Sequence, residues 1–137
     1  MSDIERLKRA IHDSNELWKL GEYKRALKLL DDSIAGAIKE NRSSWIRTLS
    51  HHAAVIASSA GDLRLVKHYY EQSLAHNPEN PRALYGLANV SLEQGETEQA
   101  KRYATKCYEA IRRSDDEIDR GLLELLAKQW PELGVAG

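Results

Sequence analysis

Gly21-Glu22-Tyr23-Lys24-Arg25-Ala26 sets a glycine, an acid, an aromatic and then a small residue inside an amphipathic helical pattern. The pattern returns as Gly61-Asp62-Leu63-Arg64-Leu65-Val66, and again as Gly95-Glu96-Thr97-Glu98-Gln99-Ala100. The second and third glycines lie 34 residues apart, the first and second 40 apart. A recurrence near 34 residues is the mark of stacked helix–turn–helix units, none of which can bury its apolar face alone.

Working outward from the first glycine, the upstream stretch begins with Ser2-Asp3-Ile4-Glu5, which has the form of a capping box. Ile4, Leu7, Ile11, Ser14 and Leu17 follow at helical spacing. Downstream, Tyr23, Ala26, Leu27, Leu30, Ile34 and Ile38 predict a second helix over about residues 22–40. Asn41-Arg42-Ser43-Ser44 is the next break, with Ser43 or Ser44 expected as N-cap. Trp45, Ile46, Leu49, Ala53, Ile56 and Ala60 mark a third helix, and Leu63, Val66, Tyr70, Ser73 and Leu74 a fourth. At Asn77-Pro78-Glu79-Asn80-Pro81, Asn80 suits an N-cap and Pro81 the first helical position. Leu84, Leu87, Ala88, Val90 and Leu92 predict the fifth helix; Ala100, Tyr103, Ala104, Cys107, Tyr108 and Ile111 predict the sixth. Ser114-Asp115-Asp116-Glu117 reads as a second capping box opening a seventh, which ends near Trp130-Pro131. No stretch alternates as a strand would, and the short connections predict antiparallel neighbours.

Aligned on their glycines, the three units agree in side-chain size. Seven residues before lie Ser14, Ala54 and Ala88; five after lie Ala26, Val66 and Ala100; twelve after lie Ser33, Ser73 and Cys107. All but Val66 are small, and small side chains let helix backbones approach closely. Thirteen after come Ile34, Leu74 and Tyr108, large enough to fill the space between units.

These features resemble the tetratricopeptide repeat family over roughly residues 7–114. The resemblance rests on Gly–acid–aromatic–x–x–Ala in the first unit, Leu84-x-x-Leu87-Ala88, and Asn77-Pro78-x-Asn80. Asp13 stands where the family usually has Leu. Ile38 and Arg112 stand where it has the terminal proline that Pro78 supplies once, and six extra residues separate the first two units. The resemblance implies an all-α, right-handed superhelix of three antiparallel helix pairs with a C-terminal capping helix. It forms one domain over 1–137, with repeats at about 7–40, 47–80 and 81–114 and the last helix at about 115–130.

Composition bounds the function. Hydrophobic residues make up 42% and charged residues 30%, as in a folded soluble chain. The formal net charge of -1 gives no global pull toward nucleic acid or an anionic membrane. The last 24 residues hold six acids against Arg120 and Lys128, a balance of -4 that leaves +3 on residues 1–113. The longest apolar run, Ala53 to Ala57, is far short of the ~20 residues of a membrane helix. Met1-Ser2-Asp3-Ile4-Glu5-Arg6 is charged and unlike a secretory leader, so a cytoplasmic protein is expected.

Catalytic and metal chemistry find little footing. Cys107, the single cysteine, occupies a small-residue register and reads as a buried structural thiol. His51 and His52 are adjacent, so they point about 100° apart on a helix and do not share one ion readily. His12-x-x-x-Glu16 lacks further ligands. No phosphate loop or nucleophile elbow occurs. No enzyme activity, cofactor or metal is expected.

The resemblance places the first helix of each unit on the inner surface. That face then presents Lys8, Ile11, Asn15 and Trp18, then Thr48, His51 and His52, then Arg82, Tyr85 and Asn89, with no carboxylate. Amides, imidazoles and aromatics in that mixture suit an extended or helical peptide with some acidic character. Some family members grip a C-terminal carboxylate; at those places stand Ile11, Asn15, His52, Arg82 and Gly86, of which Asn15 matches outright and Arg82 in charge. The expected function is a non-catalytic protein- or peptide-binding adaptor or scaffold. The alternative is a structural, self-associating protein. Ile118, Leu122, Leu125 and Leu126 make one apolar face, which Leu123 and Trp130 widen. Leu123, Leu126 and Trp130 are the expected contacts for a dimer partner, unless the tail Leu133-Gly134-Val135-Ala136-Gly137 covers them.

Overall fold

A computed structural model describes residues 2–114 and 117–131, and the backbone alone of Ile118 and Asp119. Among these residues all regular structure is helical. The helices are α1 (Asp3–Lys19), α2 (Tyr23–Lys39), α3 (Ser43–Ser59), α4 (Leu63–His76), α5 (Pro81–Glu93), α6 (Thr97–Arg112), α7 (Glu117–Arg120) and α8 (Leu122–Gln129). Two compact units divide the chain, Met1–His76 and Asn77–Gly137. Successive helices pack as antiparallel pairs within each unit, α1 on α2 and α3 on α4 in the first, α5 on α6 in the second.

The repeating glycines close the pairs because each turn needs a left-handed residue. Gly21, Gly61 and Gly95 have φ of 78°, 75° and 78°. At the first, the Glu22 N–H donates to the Leu17 carbonyl at 2.9 Å and the Gly21 N–H to that of Trp18 at 2.9 Å. Asp62 to Ala57 and Glu96 to Ser91 repeat the longer bond at 3.0 and 2.8 Å. This is the Schellman arrangement, which satisfies helix-end carbonyls that have no partner within the helix.

The α2–α3 turn uses the same device without glycine. Asn41 takes φ 59°, and the Arg42 N–H reaches the Ala37 carbonyl at 2.9 Å. Asparagine tolerates this region better than other side chains do. The turn therefore closes earlier than the serines suggest. Arg42 is the N-cap and Ser43 is already helical, which corrects the expected cap at Ser43 or Ser44. The other two caps are as expected. Ser2 Oγ accepts the Glu5 N–H at 3.2 Å, and Asn80 Oδ1 accepts that of Arg82 at 3.2 Å, with Pro81 opening α5.

The small-residue registers lie where helices meet. Ser14, Ala54, Ala88, Ala26 and Ala100 are 0–1% exposed, and Cys107 is fully buried. The Cys107 thiol donates to the Pro81 carbonyl at 3.3 Å, tying α6 to the start of α5. It is a structural cysteine, as its register implies. In the first unit Leu30, Ile34, Ile46, Leu49, Ile56 and Tyr69 form the core. The Tyr69 hydroxyl donates to Asp31 Oδ1 at 2.8 Å, joining α4 to α2. Burial and the Asp31 carboxylate both push the Tyr69 phenol well above its ordinary range.

The C-terminal stretch differs from the single helix expected at about 115–130. Two short helices, α7 and α8, meet at Gly121. Gly121 keeps right-handed dihedrals (φ -59°, ψ -23°), and its N–H still donates to Glu117. Glycine weakens a helix interior by about 1 kcal/mol relative to Ala, and the ladder is interrupted there. α8 packs on α6 and α5 within the second unit. Residues 115 and 116 of the capping box at 114–117, and the tail after Pro131, lie outside the described residues.

Candidate functional site

In the first unit, α1 lies against α3 as well as α2. On α1, Lys8 is exposed, while Ile11, Asn15 and Trp18 are half-buried. They recur at three- and four-residue spacing, so they form one stripe of the helix. On α3, Thr48 is exposed and His51 and His52 are half-buried. The expected residues of these two helices therefore belong to one unit. In the second unit Arg82, Tyr85 and Asn89 form a half-buried stripe on α5.

The imidazoles sit in contrasting surroundings. The His51 ring faces Tyr70 of α4, with centroids 6.2 Å apart and planes tilted by 46°. Burial raises the Tyr70 phenol above its ordinary range. His52 is held below the usual imidazole range, again by burial, so it is neutral at physiological pH. Its Nε2 is shielded from water and has no hydrogen-bond partner among the described residues. Ser50 Oγ and Gln72 Oε1 share that condition. An unsatisfied buried polar atom is costly, by about 1–3 kcal/mol. His52 stands out because it belongs to the stripe already assigned on sequence grounds.

Tyr70 was not legible as a site residue, since it reads as one more apolar position of α4. No group of three or more His, Cys, Asp or Glu side chains that could hold a metal comes together among the described residues. No described helix is long and apolar enough to cross a membrane.

The C-terminal contact set is rearranged. Leu126 is 0% and Trp130 4% exposed, both inside the second unit, so neither presents a surface to a second copy. α8 meets two helices, α5 and α6. Leu123 is half-buried, and Leu125, at 42%, is the large apolar side chain of α8 left in water.

Residues 57–105 match the model of the tetratricopeptide repeat family. No curated protein matches the sequence. Among solved structures, the chain is similar to the type III secretion translocator chaperone SycD of Yersinia enterocolitica, in a structure described as an alternative dimer. The TM-score is 0.72 at 16% identity, covering 98% of this chain and 97% of that one. A second structure of the same chaperone matches with a TM-score of 0.66 at 17% identity, covering 92% and 91%. The helix pairs are thus tetratricopeptide-like in fold across the chain, and tetratricopeptide in sequence over residues 57–105.

Proposed function

We propose that this chain is a non-catalytic adaptor that binds an extended or helical segment of another protein. It would do so along the α1 and α3 stripes of the first unit; the α5 stripe of the second unit, with Arg82, Tyr85 and Asn89, would be a contact surface of its own. The observation that carries the reading is the α1 stripe, where exposed Lys8 and half-buried Ile11, Asn15 and Trp18 share one face of the helix within reach of a partner. Asn15 adds an amide and Trp18 an aromatic surface, the residue types that give affinity at low entropy cost. The likeness to a translocator chaperone supports a protein as the partner class. Lys8 and Arg82, with no carboxylate in these stripes, favour a segment with some acidic character.

Photo-crosslinking tests this. A benzoylphenylalanine at exposed Thr48, in host cells, is expected to give protein adducts of discrete mass. The same group at Lys101, on the exposed face of α6, is expected to give none of them. Asn15→Ala with Trp18→Ala should abolish the Thr48 adducts while circular dichroism remains helical. Identical adducts from both positions, or adducts indifferent to the Asn15 and Trp18 changes, would contradict the reading.

Self-association is the second reading, in altered form. With Leu126 and Trp130 enclosed, exposed Leu125 and half-buried Leu123 are the apolar groups of α8 that a second copy could cover. Leu125→Glu should then convert a dimer to a monomer in sedimentation. A wild type that is monomeric at high concentration would remove this reading.

A further inference from the structure

A cavity of about 200 Å³ opens among α1, α2 and α3 of the first unit. Its lining includes buried Ala10, Ala37 and Leu49, together with Trp45 and Gly36. None of the stripe residues of α1 or α3 lines it.

Gly36 is the informative residue. It lies inside α2, where glycine weakens a helix relative to alanine. Its φ is not left-handed, and a Cβ built on it would meet nothing within 4 Å. Neither a turn nor a close helix approach therefore accounts for the glycine. Its missing side chain leaves the cavity wall open. Ser33 has the same effect one turn earlier, since it lines the cavity half-buried, where Ser73 and Cys107 are buried at the equivalent register. The cavity goes with the longer first unit. α2 has 17 residues against 14 for α4 and 16 for α6, and Ala37 and Glu40 lie past the point equivalent to the end of α4.

Size and charge narrow the occupant. Whole small-molecule ligands usually occupy about 300–1,000 Å³, so this space suits a single large side chain. The charged residues lining it are Arg6, Asp32 and Glu40, one cation and two carboxylates. Arg6 is engaged by Asp3, and Glu40 accepts from Arg42 at 2.8 Å. Arg42 also lies over the Trp45 ring, 4.6 Å from its centroid. Asp32 differs, because its ion pair is with Lys28 on the same helix at 3.0 Å, and the side chains are 68% and 75% exposed. Pairs so exposed are weak and exchange readily.

We propose that this cavity docks one phenylalanine-sized apolar side chain of a protein partner, with a neighbouring lysine or arginine of that partner pairing with Asp32. The site is separate from the α1 and α3 stripes, and its test is independent of theirs. The probe is acetyl-Lys-Phe-Lys-amide, titrated into the full chain. The readout is the indole N–H resonance of Trp45, assigned by loss of its signal in Trp45→Phe. Saturable shifts are expected. Acetyl-Lys-Ala-Lys-amide and acetyl-Glu-Phe-Glu-amide should each bind several-fold more weakly. Gly36→Leu, which fills the cavity, should weaken the first peptide at least about tenfold. Asp32→Asn, a surface change that leaves the helix intact, should weaken it about threefold. The Asn15 and His52 variants should leave it unchanged. Equal binding of the alanine or the glutamate peptide overturns the proposal. So does full binding by a folded Gly36→Leu protein, or, should that variant not fold, by Asp32→Asn.

Discussion

Removing one hydroxyl isolates the bond that joins α4 to α2. The Tyr69 ring is 1% exposed, and Tyr69→Phe keeps all of that ring packing while deleting the bond to Asp31 at 2.8 Å. Asp31 is exposed, so water replaces the lost donor and no buried group is orphaned. The loss is then that of an ordinary hydrogen bond, about 0.5–1.5 kcal/mol. Tyr69→Ala instead empties a buried aromatic position and should lose about 3–5 kcal/mol. Urea denaturation followed by tryptophan fluorescence measures both, and adding Asp31→Asn completes a double-mutant cycle. The pH dependence supplies a second readout. The folded phenol has a raised pKa, so above the ordinary value of 10.0 the unfolded chain loses its proton first. The folded state then binds more protons, and stability falls as pH rises past that point. Tyr69→Phe should flatten this decline. A Tyr69→Phe protein as stable as wild type, with zero coupling to Asp31 and an unchanged alkaline limb, would refute the bond's role.

The remaining predictions concern packing, turns and acid stability. Ala26→Leu and Ala100→Leu each place extra carbons at 0% exposed positions where helices meet, and each should destabilise by about 1–3 kcal/mol in thermal melts. Gly36→Ala should stabilise by about 0.5–1 kcal/mol, since the helix gains and nothing obstructs the methyl. Gly61→Ala, at φ 75°, should destabilise instead; the same sign for both would undo the distinction drawn between them. His52 has a lowered folded pKa, so the unfolded chain binds its proton first as pH falls through 6.5. Stability should therefore decrease from pH 7 to pH 5, and His52→Gln should flatten that slope.

The fold was legible because its signals are local. A glycine forced to positive φ, a small residue seven positions before and another twelve after all repeat with the units, and each has a steric reason. Where the reading slipped, two local solutions were equally available. Asn41 closes a turn that its type permits without demanding, so the cap fell on Arg42 and not on a serine. A lone Gly121 inside an apolar helical pattern is tolerated as often as it interrupts, and here it divides α7 from α8. Other features depend on residues far apart in the chain. Tyr69 and Asp31 are 38 positions apart, and neither advertises the other. α8 meets two helices where its pattern suggests one. The stripes on α1, α3 and α5 could be placed by periodicity. The unbonded Nε2 of His52 and the opening beside Gly36 could not, since both are properties of tertiary packing.

The binding claim is tested most directly by one variant. Lys8→Glu with Asn15→Ala alters the α1 stripe of the first unit and leaves the small-residue registers and turns untouched. The measurement is its affinity, by calorimetry, for a protein identified through the Thr48 crosslink, alongside its circular dichroism and melting temperature. Binding is expected to fall by at least about tenfold, equivalent to about 1.4 kcal/mol, with helicity and melting temperature unchanged. Wild-type affinity in the folded variant would contradict the account.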